Sequence, residues 1–536
     1  MKRVLMGLLV TVAYTSLAFG GWTGVNGDQL MSYFPGPSDF LCNGVIIVPG
    51  DNGTLYSVWA QGKTFVPYEI FFSKSTDNGR TWSGTAADQR ISADDGEGIL
   101  GPTATRPTGL CLNSQGDIFV VWAESLTNVG YEVMMVKSTD GGATWIHSDT
   151  DFPISFQGGP RTYEPKIVAD HDDNLHAVWH QRTPADTSEI FYGFSSDGGD
   201  TWTSQSADRW ISFPDGFHAQ SPDITVDPDN NVLVVWQEKT GTEIDSVAVH
   251  FGEKLSGQSE FSSETQDIQI SMGHRSTVTP SIAVGPEGSI HVAWEARNNI
   301  NGSYKGAIYY SRSTDGGGTW TGIDTEMPID TSPMDDTSAT NPTIVVTSTG
   351  KLAVSYCHFD LSSNGHTVVY LVYSFDSGDT WSTAPDIVGH WEPTGDDRPS
   401  YTPYICVSAG DTLHVVWKED CDDIGGSSGY YEAMYSRGDT LGTSGQPGCE
   451  YVPGDINNNG FANGVDVSYG VNYFKGFGPP PPLTCPDCPE PGQELYAAGD
   501  VNGNCIFNGV DITYFVSYLR GGGADLLYCP NCPPAR

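Results

Sequence analysis

The chain has 536 residues and carries 66 acidic against 25 basic side chains, a formal net charge of −41 at pH 7. Such a negative field repels nucleic acid and anionic membrane surfaces, so we exclude both as partners, and it attracts cations. Glycine (64 residues) and aromatic side chains (11%) are frequent. Because no long amphipathic helical pattern accompanies them, the composition predicts an all-β protein with many tight turns.

Residues 1–20, MKRVLMGLLVTVAYTSLAFG, predict a secretory signal peptide. Lys2 and Arg3 precede a short apolar run, and small residues follow at Ala18 and Gly20, after which we expect cleavage. The run is too short for a membrane anchor. We therefore expect an exported protein, secreted or held at the cell surface, without a transmembrane segment.

A box of eight residues with Ser, Asp, Gly and Trp at fixed offsets recurs along the chain about every 60 residues, which marks a repeat period. One interval is double. It predicts a copy without its box in HFGEKLSG, from His250, and a worn copy, SRGDTLG, begins at Ser436, which makes seven units. The intact boxes are STDNGRTW from Ser75, STDGGATW from Ser138, SSDGGDTW from Ser195, STDGGGTW from Ser313 and SFDSGDTW from Ser374.

Four short strands are predicted in each unit. The first is led by proline in all units but one, the third leads into the box, and a short fourth, such as DQRIS or DRWIS, follows the box Trp. Evenly spaced strands of this kind predict a seven-bladed β-propeller over residues 21–445; the alternative is six blades with one unit packed outside the ring. The second strand ends in an aromatic residue, at Trp59, Trp122, Trp179, Trp236, Trp294, Tyr356 and Trp417.

The residue types of the box predict a structural role. Its Asp can accept hydrogen bonds from its own turn, its Gly allows positive φ, and its Trp provides an apolar plug. With this motif and spacing, residues 21–443 resemble the Asp-box (BNR) repeat propellers of the sialidase superfamily. The resemblance implies recognition of extracellular glycans or glycoproteins.

The sialidases of that superfamily use three arginines, a Tyr–Glu pair and an Asp, and the first arginine lies in an Arg-Ile-Pro segment. In this chain the corresponding stretch reads FLCNGVIIVP, from Phe40, and contains no Arg. Two interpretations stay open. One is a non-catalytic propeller that binds glycan, and the other is an exo-sialidase or another glycoside hydrolase with a non-standard active site.

Candidate site residues lie just before the proline-led strands, where the resemblance places the axial opening. The alternative is that these arginines offset the acidity of the chain and anchor loops. The candidates are Arg106, Arg161, Tyr163, Glu164, Arg275, Arg398 and Tyr401.

Polar residues also recur two positions after the aromatic strand ends. They either form a ring that binds a polar ligand or a cation, or cap backbone groups at the strand ends. These residues are Gln61, Glu124, Gln181, Glu238 and Glu419.

Residues 446–536 change character and predict a small calcium-binding domain with two loop–helix copies. Alternate oxygen ligands in each loop match the needs of Ca²⁺. The pair resembles a type I dockerin, which implies a cohesin-like or cell-surface partner; Gly464-Val465 and Gly509-Val510 stand where many dockerins have a hydroxyl-bearing pair. The predicted ligands are Asp455, Asn457, Asn459, the backbone of Phe461 and Asp466, and Asp500, Asn502, Asn504, the backbone of Ile506 and Asp511.

Six of the eleven cysteines lie in this C-terminal domain. CPDC, from Cys485, and CPNC, from Cys529, are compatible with a four-thiolate zinc site. For an exported protein the oxidising compartment favours disulfides, with no pairing assigned. The stretch GPPPPL, from Gly478, predicts a stiff spacer.

Overall fold

A computed structural model describes most of the propeller strands and both C-terminal helices. The chain divides into two compact units, one spanning Trp22–Leu441 and the other containing Gly442–Arg536. The described residues are 22, 29–32, 40–63, 68–83, 89–96, 98, 108–126, 130–207, 209–241, 246–272, 276–300, 303–321, 328–330, 337–360, 367–382, 385–389, 400–420, 431–440, 452–457, 461–482, 485–486, 494–520 and 526–527.

The first unit is a seven-bladed β-propeller of antiparallel blades. The first three blades consist of β2 (Phe40–Pro49), β3 (Leu55–Lys63), β4 (Glu69–Ser75) and β5 (Gln89–Arg90); β6 (Thr108–Leu112), β7 (Ile118–Leu126), β8 (Gly130–Ser138) and β9 (Phe152–Pro153); and β10 (Thr162–Ala169), β11 (Leu175–Arg182) and β12 (Ser188–Ser195).

The remaining blades repeat this order, and blade seven takes its outer strand from the N-terminal segment. They consist of β13 (Ala219–Val226), β14 (Val232–Lys239), β15 (Val247–Lys254) and β16 (Ile268–Gln269); β17 (Ser276–Val284), β18 (Ile290–Ile300) and β19 (Ser303–Ser313); β20 (Thr337–Val346), β21 (Leu352–Asp360), β22 (Thr367–Ser374) and β23 (Asp386–Ile387); and β24 (Ser400–Ser408), β25 (Thr412–Asp420), β26 (Tyr431–Thr440) and β1 (Gln29–Leu30).

The first strands of the blades form a closed ring. Each contacts the first strand of the next blade, from β2 through β6, β10, β13, β17 and β20 to β24, and β24 contacts β2. Every unit therefore occupies a place in the ring, which confirms the seven-bladed prediction and excludes the arrangement with one unit outside.

The aromatic residues that end the second strands form the centre of the packing between blades. All seven are at most 1% exposed. Trp122, for example, packs in one cluster with Val58, Ile70 and Phe72 of the preceding blade. Because neighbouring blades cover both faces of each sheet, the strands are apolar on both sides, as their continuous Val and Ile runs predicted.

The five intact boxes make the same set of hydrogen bonds, as their residue types predicted. In the first, Ser75 Oγ donates to Asp77 Oδ1 (2.8 Å), the backbone N–H of Gly79 donates to Ser75 Oγ (2.9 Å), and that of Thr81 donates to Asp77 Oδ1 (2.8 Å). The Thr81 hydroxyl also donates to Asp77 Oδ2 (2.7 Å), and the hydrogen bonds that Asp77 accepts, led by this one, lower its pKa to about 2. Both carboxylate oxygens of the box Asp therefore accept hydrogen bonds within its own turn.

In four of the five intact boxes, the box Trp also packs edge-on against an aromatic ring of the preceding blade. Trp145 meets Phe72 with ring centroids 5.0 Å apart. The box glycine covers the same ring, since a Cβ on Gly142 would lie 2.4 Å from Phe72 Cζ. Equivalent pairs are Trp82–Tyr435, Trp320–Phe251 and Trp381–Tyr310.

The two degenerate boxes lie at other positions than the sequence predicted. His250 lies within β15, and Lys254 takes the place of the box Ser because it pairs with Val232 as Ser195 pairs with Leu175. Phe261 then replaces the box Trp and packs edge-on against Tyr192. In blade seven, Ser436 lies inside β26, which continues to Thr440, so the segment forms a strand instead of a box turn.

The N-terminal segment closes the ring and supplies what blade seven lacks. In β1, Gln29 pairs with Tyr435 and Leu30 with Met434. Upstream, Trp22 is buried and packs on Gly438, where a Cβ would lie 2.7 Å from Trp22 Cη2. Trp22 shares a cluster with the apolar residues of blades six and seven, so it occupies the position of a box Trp.

In the C-terminal unit, two helices pack on each other, α1 (Gly464–Phe474) and α2 (Gly509–Leu519), and a short pair of strands, β27 (Cys485–Pro486) and β28 (Glu494–Leu495), accompanies them. Ile456, Val501, Ile512 and Phe515 form the core. Among the described segments, no helix has the length and apolar character needed to cross a membrane.

Trp22→Ala is expected to destabilise the propeller by about 3 kcal/mol, because it removes a buried aromatic side chain from the closing interface. Thermal unfolding measures the effect as a lower Tm. Trp210→Ala is the matched control, since Trp210 is 47% exposed. An equal Tm for the two variants would contradict the closing role of Trp22.

Asp386 gives the closure a pH dependence. Its carboxylate accepts a hydrogen bond from the Trp22 indole, but burial raises its pKa to about 7, and its Oδ1 has no hydrogen-bond partner. The folded state therefore binds an extra proton between about pH 4 and pH 7, so stability falls as the pH rises through this window. Asp386→Asn should raise Tm at pH 8 and leave it unchanged at pH 4; a parallel pH–Tm curve for both proteins would reject this.

Candidate functional site

The predicted site residues lie at the end of the propeller opposite the boxes. At this end the first strands begin and the second strands end, and we call it the entry face. In blade three, Tyr163 pairs with His180 near the start of β10, whereas the box follows Ser195 at the other end of the blade. The boxes are thus separated from the candidate residues.

A β-bulge in the first strand shapes the entry face. The residue before the leading proline has positive φ, for example 49° at Glu164, and the pairing register shifts there. The same conformation recurs in four further blades, so the strain at Glu164 belongs to the repeat and does not mark a catalytic residue. The equivalent residues are Ser221, Thr279, Asn341 and Thr402.

Arg161, Tyr131 and Tyr163 form a connected group on this face. The Arg161 guanidinium lies 5.2 Å from the ring centroid of Tyr131, and the rings of Tyr131 and Tyr163 are 5.6 Å apart. A hydrogen bond with Tyr163 raises the pKa of Arg161. Arg161 is exposed and both tyrosines are half-buried, so the group presents a cation and two phenol rings to solvent.

His180 and Glu164 lie beneath this group. The imidazole stacks on Tyr163 with centroids 5.1 Å apart, and its Nδ1 is 3.8 Å from Glu164 Oε2. Burial lowers the pKa of His180, so the ring is neutral at pH 7. Glu164 Oε2 also accepts a hydrogen bond from Ser221 Oγ (2.8 Å), which links blade three to blade four.

Tyr401 lies in an equivalent position of blade seven, in a second group. Lys418 Nζ is 5.5 Å from the Tyr401 ring centroid and 5.0 Å from that of Tyr431, and it donates to Asn43 Oδ1 (3.2 Å). Burial lowers the pKa of Lys418. The structure thus brings Arg161, Tyr163 and Glu164 together and places Tyr401 elsewhere on the face. Arg106, Arg275 and Arg398 lie outside the described residues.

Sequence reasoning missed Tyr131, His180 and Lys418. His180 and Lys418 each follow directly after the aromatic end of a second strand, at Trp179 and Trp417. Strand alternation points such a residue away from the buried Trp. A large ionisable residue at this position was the usable signal, because most equivalent positions in the other blades hold small or uncharged residues.

The recurring polar residues two positions after the strand ends cap the tryptophans. Neither interpretation from the sequence described this role, since the partner is the indole N–H instead of a backbone group or a ligand. All five are buried, and each accepts a hydrogen bond from the Trp two residues earlier. The distances are 2.7 Å for Gln61, 2.8 Å for Glu124, 3.0 Å for Gln181, 2.6 Å for Glu238 and 3.0 Å for Glu419.

In the described part of the two C-terminal loops, an aspartate occupies the same position near the start of each helix. Asp466 and Asp511 are fully buried at the helix starts, where each accepts backbone hydrogen bonds from its loop. Burial, with the nearby charge of Asp500, raises the pKa of Asp511 to about 6. The buried Oδ1 of Asn457 has no hydrogen-bond partner. Buried carboxylates and an oxygen without a donor are the features that a bound Ca²⁺ would satisfy. Asn459 lies outside the described residues.

A family of repeat proteins matches the N-terminal half of the propeller. Residues 36–237 match the family of the BNR repeat-like domain. No curated protein matches the chain.

Solved structures with a similar backbone fold include carbohydrate-active enzymes. An ulvan lyase of polysaccharide lyase family PL25 is 12% identical, with a TM-score of 0.48, and the match covers 78% of this chain and 94% of that one. The Hadza microbial sialidase Hz136 is 16% identical, with a TM-score of 0.39 and coverages of 59% and 63%. The α-L-arabinofuranosidase Arb93A from Fusarium graminearum is 15% identical, with a TM-score of 0.41 and coverages of 62% and 91%.

Proposed function

We propose that the entry face of the propeller binds an acidic glycan at the group of Arg161, Tyr131 and Tyr163. The observation that carries this proposal is the exposed Arg161 guanidinium held beside two half-buried tyrosine rings. Guanidinium groups pair with carboxylates through two parallel hydrogen bonds, and aromatic rings pack against the apolar faces of sugars.

Charge adds specificity to this interaction. The chain has a formal net charge of −41, so most of its surface repels an acidic polymer. An exposed arginine therefore selects the place at which a uronate or sialate carboxylate approaches. Tyr163 keeps the guanidinium in position through its hydrogen bond, and His180 supports the Tyr163 ring from below.

A glycoside hydrolase with a non-standard site is the second candidate. The favouring observation is the position of His180, whose ring stacks on Tyr163 and whose Nδ1 lies 3.8 Å from Glu164 Oε2. A carboxylate or imidazole next to a phenol can act as its base and make it a nucleophile. The Tyr163 oxygen would bond to the anomeric carbon as the glycosidic bond breaks; Glu164 or His180 would take the phenol proton, and the leaving alcohol would take a proton from water.

Arg161→Ala should weaken binding to acidic glycans at least tenfold, because it removes the carboxylate partner. The measurement is a glycan array of sialylated and uronate-containing chains with their neutral counterparts, followed by titration of the strongest binder. Arg80→Ala is the matched control, since Arg80 is exposed in a box on the opposite face. Equal affinity for the two variants would contradict the site.

The same proteins separate the two functions. Turnover of a fluorogenic sialoside by the unmodified chain, lost in Tyr163→Phe, would support the hydrolase. Binding without turnover supports the non-catalytic propeller.

We also propose that the C-terminal unit binds two Ca²⁺ ions and attaches the exported propeller to a surface or assembly, as its resemblance to dockerins implies. A buried aspartate in each loop, which accepts the backbone N–H of Asn463 or Asn508, supports the metal. The disulfide-bonded states of Cys485 and Cys505 support disulfides over a zinc site. Val465 and Val510 are exposed at equivalent places of the two helices, where many dockerins have the hydroxyl-bearing pair, so a partner at this place would contact apolar side chains.

Asp511→Asn should remove one of the two calcium ions, because it takes a charged ligand from the second loop. Titration calorimetry gives the number of ions, and the helical circular dichroism signal reports on this unit, where both described helices lie. Asp466→Asn should give the same loss from the first loop. Unchanged calcium binding in both variants would reject the loops as metal sites.

A further inference from the structure

A second group of one cation and two tyrosines lies on the entry face, in blade seven. It consists of Lys418, Tyr401 and Tyr431, and its tyrosines occupy the same places in the repeat as Tyr163 and Tyr131. Tyr401 lies two residues before the proline of its first strand, as Tyr163 does. Tyr431 and Tyr131 each lie three residues before the methionine that pairs with the strand-end tryptophan. The same pair of rings therefore occurs at two points of the entry face.

The ammonium of Lys418 lies in the corner between the two rings of its group. Its Nζ is 5.5 Å from the centroid of Tyr401 and 5.0 Å from that of Tyr431, and the rings meet at 73°. All three side chains are partly exposed. Among the described residues, the ammonium donates one hydrogen bond, to Asn43 Oδ1, and has no carboxylate at ion-pair distance. Since an ammonium has three N–H donors, two remain for a ligand.

A lysine at this position departs from the structural role that the repeat gives it. In blades four and five, the residue after the strand-end tryptophan accepts a backbone N–H from the bulge of the next blade. Gln237 Oε1 accepts from Thr279 (3.0 Å), and Glu295 Oε2 accepts from Asn341 (3.3 Å). An ammonium has no acceptor, so Lys418 cannot make this bond. Blade seven thus presents a positive charge where these two blades have an acceptor.

The two cation–tyrosine groups lie on different sides of the axial opening. The first strands form the ring around the axis, and each group takes a tyrosine from the start of a first strand, in blade three and in blade seven. Two blades lie between them one way round the ring and three the other way. Because sheets packed face to face lie about 10 Å apart, the two cations are separated by more than the length of one sugar. A ligand that contacts both groups must therefore be a chain that crosses the opening.

We propose that Lys418, Tyr401 and Tyr431 bind a second acidic group of the glycan that binds at Arg161, so that the ligand is a linear chain with acidic groups on more than one sugar. This inference rests on the proposed function of the entry face and narrows its ligand from any acidic glycan to a polyanionic one. The ammonium provides a point charge for a carboxylate, and the tyrosine rings pack against the sugar that carries it. A glycan with one terminal sialate reaches only one of the two groups.

A length series of oligogalacturonates, from dimer to octamer, tests the second group by titration calorimetry with the full chain. The unmodified chain should bind the octamer at least about a hundredfold more tightly than the dimer, because only the octamer reaches both groups and its several dimer-length registers alone give less than tenfold. The octamer methyl ester keeps the sugars and loses the charges, so it should lose this gain. These measurements need no substitution and do not depend on how a variant folds.

Three variants assign the gain to Lys418. Lys418→Met removes the charge and keeps an unbranched stem, so it should bind the octamer at least tenfold more weakly and the dimer as tightly as the unmodified chain does. Lys418→Arg keeps the charge and should keep the gain. Lys351→Met is the matched control, since Lys351 Nζ lies 5.8 Å from the ring centroid of Phe375 at the box end of blade six.

Failure of this inference and failure of the proposed function give different results. Equal affinity for dimer and octamer in the unmodified chain would overturn the second group, and so would equal octamer binding by the unmodified chain and Lys418→Met. An equal loss of dimer and octamer binding in Lys418→Met would also overturn it, because Lys418 would then act through the group at Arg161. In each of these cases Arg161→Ala still weakens dimer binding. Unchanged dimer and octamer binding in Arg161→Ala would refute the proposed function, and this inference with it.

Discussion

The propeller depends on aromatic side chains that are buried between neighbouring blades. A four-stranded blade cannot cover both of its own faces, so each blade is stable only when another covers it. The tryptophan at the end of the second strand fills the cleft from one side, and the box tryptophan reaches back to the preceding blade from the other. Because these aromatic side chains hold the blades together away from the entry face, the residues of the entry face are free to vary.

The side chains that recur from repeat to repeat and the side chains of the candidate site therefore lie in different parts of each blade. The box aspartates accept hydrogen bonds from their own turns. The Glu and Gln residues two positions after the strand-end tryptophans accept hydrogen bonds from the indole N–H groups. What remains for a ligand are residues that break the repeat, such as Arg161 and His180. A repeated motif can hold a ring together, but only its exceptions distinguish one side of the axis from another.

Much of the fold could be predicted from the sequence, because the regular spacing of the box shows the length and the number of the repeats. The box spacing gave the blade count, and the aromatic strand ends gave the order of strands. The closing strand was missed, since the pairing of Leu30 with Met434 joins opposite ends of the unit and leaves no local pattern. One signal was available: Met31-Ser32 follows β1 as Ile91-Ser92 follows β5, with the serine beside a glutamate in both cases.

The site could be predicted only where its members are neighbours in sequence. Arg161, Tyr163 and Glu164 lie within four positions of each other, and the structure keeps them together. Tyr131 and His180 join them through strand register and through packing between blades, which a pattern in one strand cannot reveal. The two degenerate boxes were misplaced for a similar reason, since their position follows from the pairing of Lys254 and from the course of β26.

Closure by the N-terminal segment also sets the order of assembly. The first strand of the folded unit is made first but can pair only after β26, the last strand, exists. Until β1 pairs with it, β26 is an open sheet edge and the interface around Trp22 is unfilled, so folding passes through an open ring with an unprotected edge. A protein fused directly ahead of Trp22 would sit at this seam, whereas an addition after the C-terminal unit would leave the ring free to close.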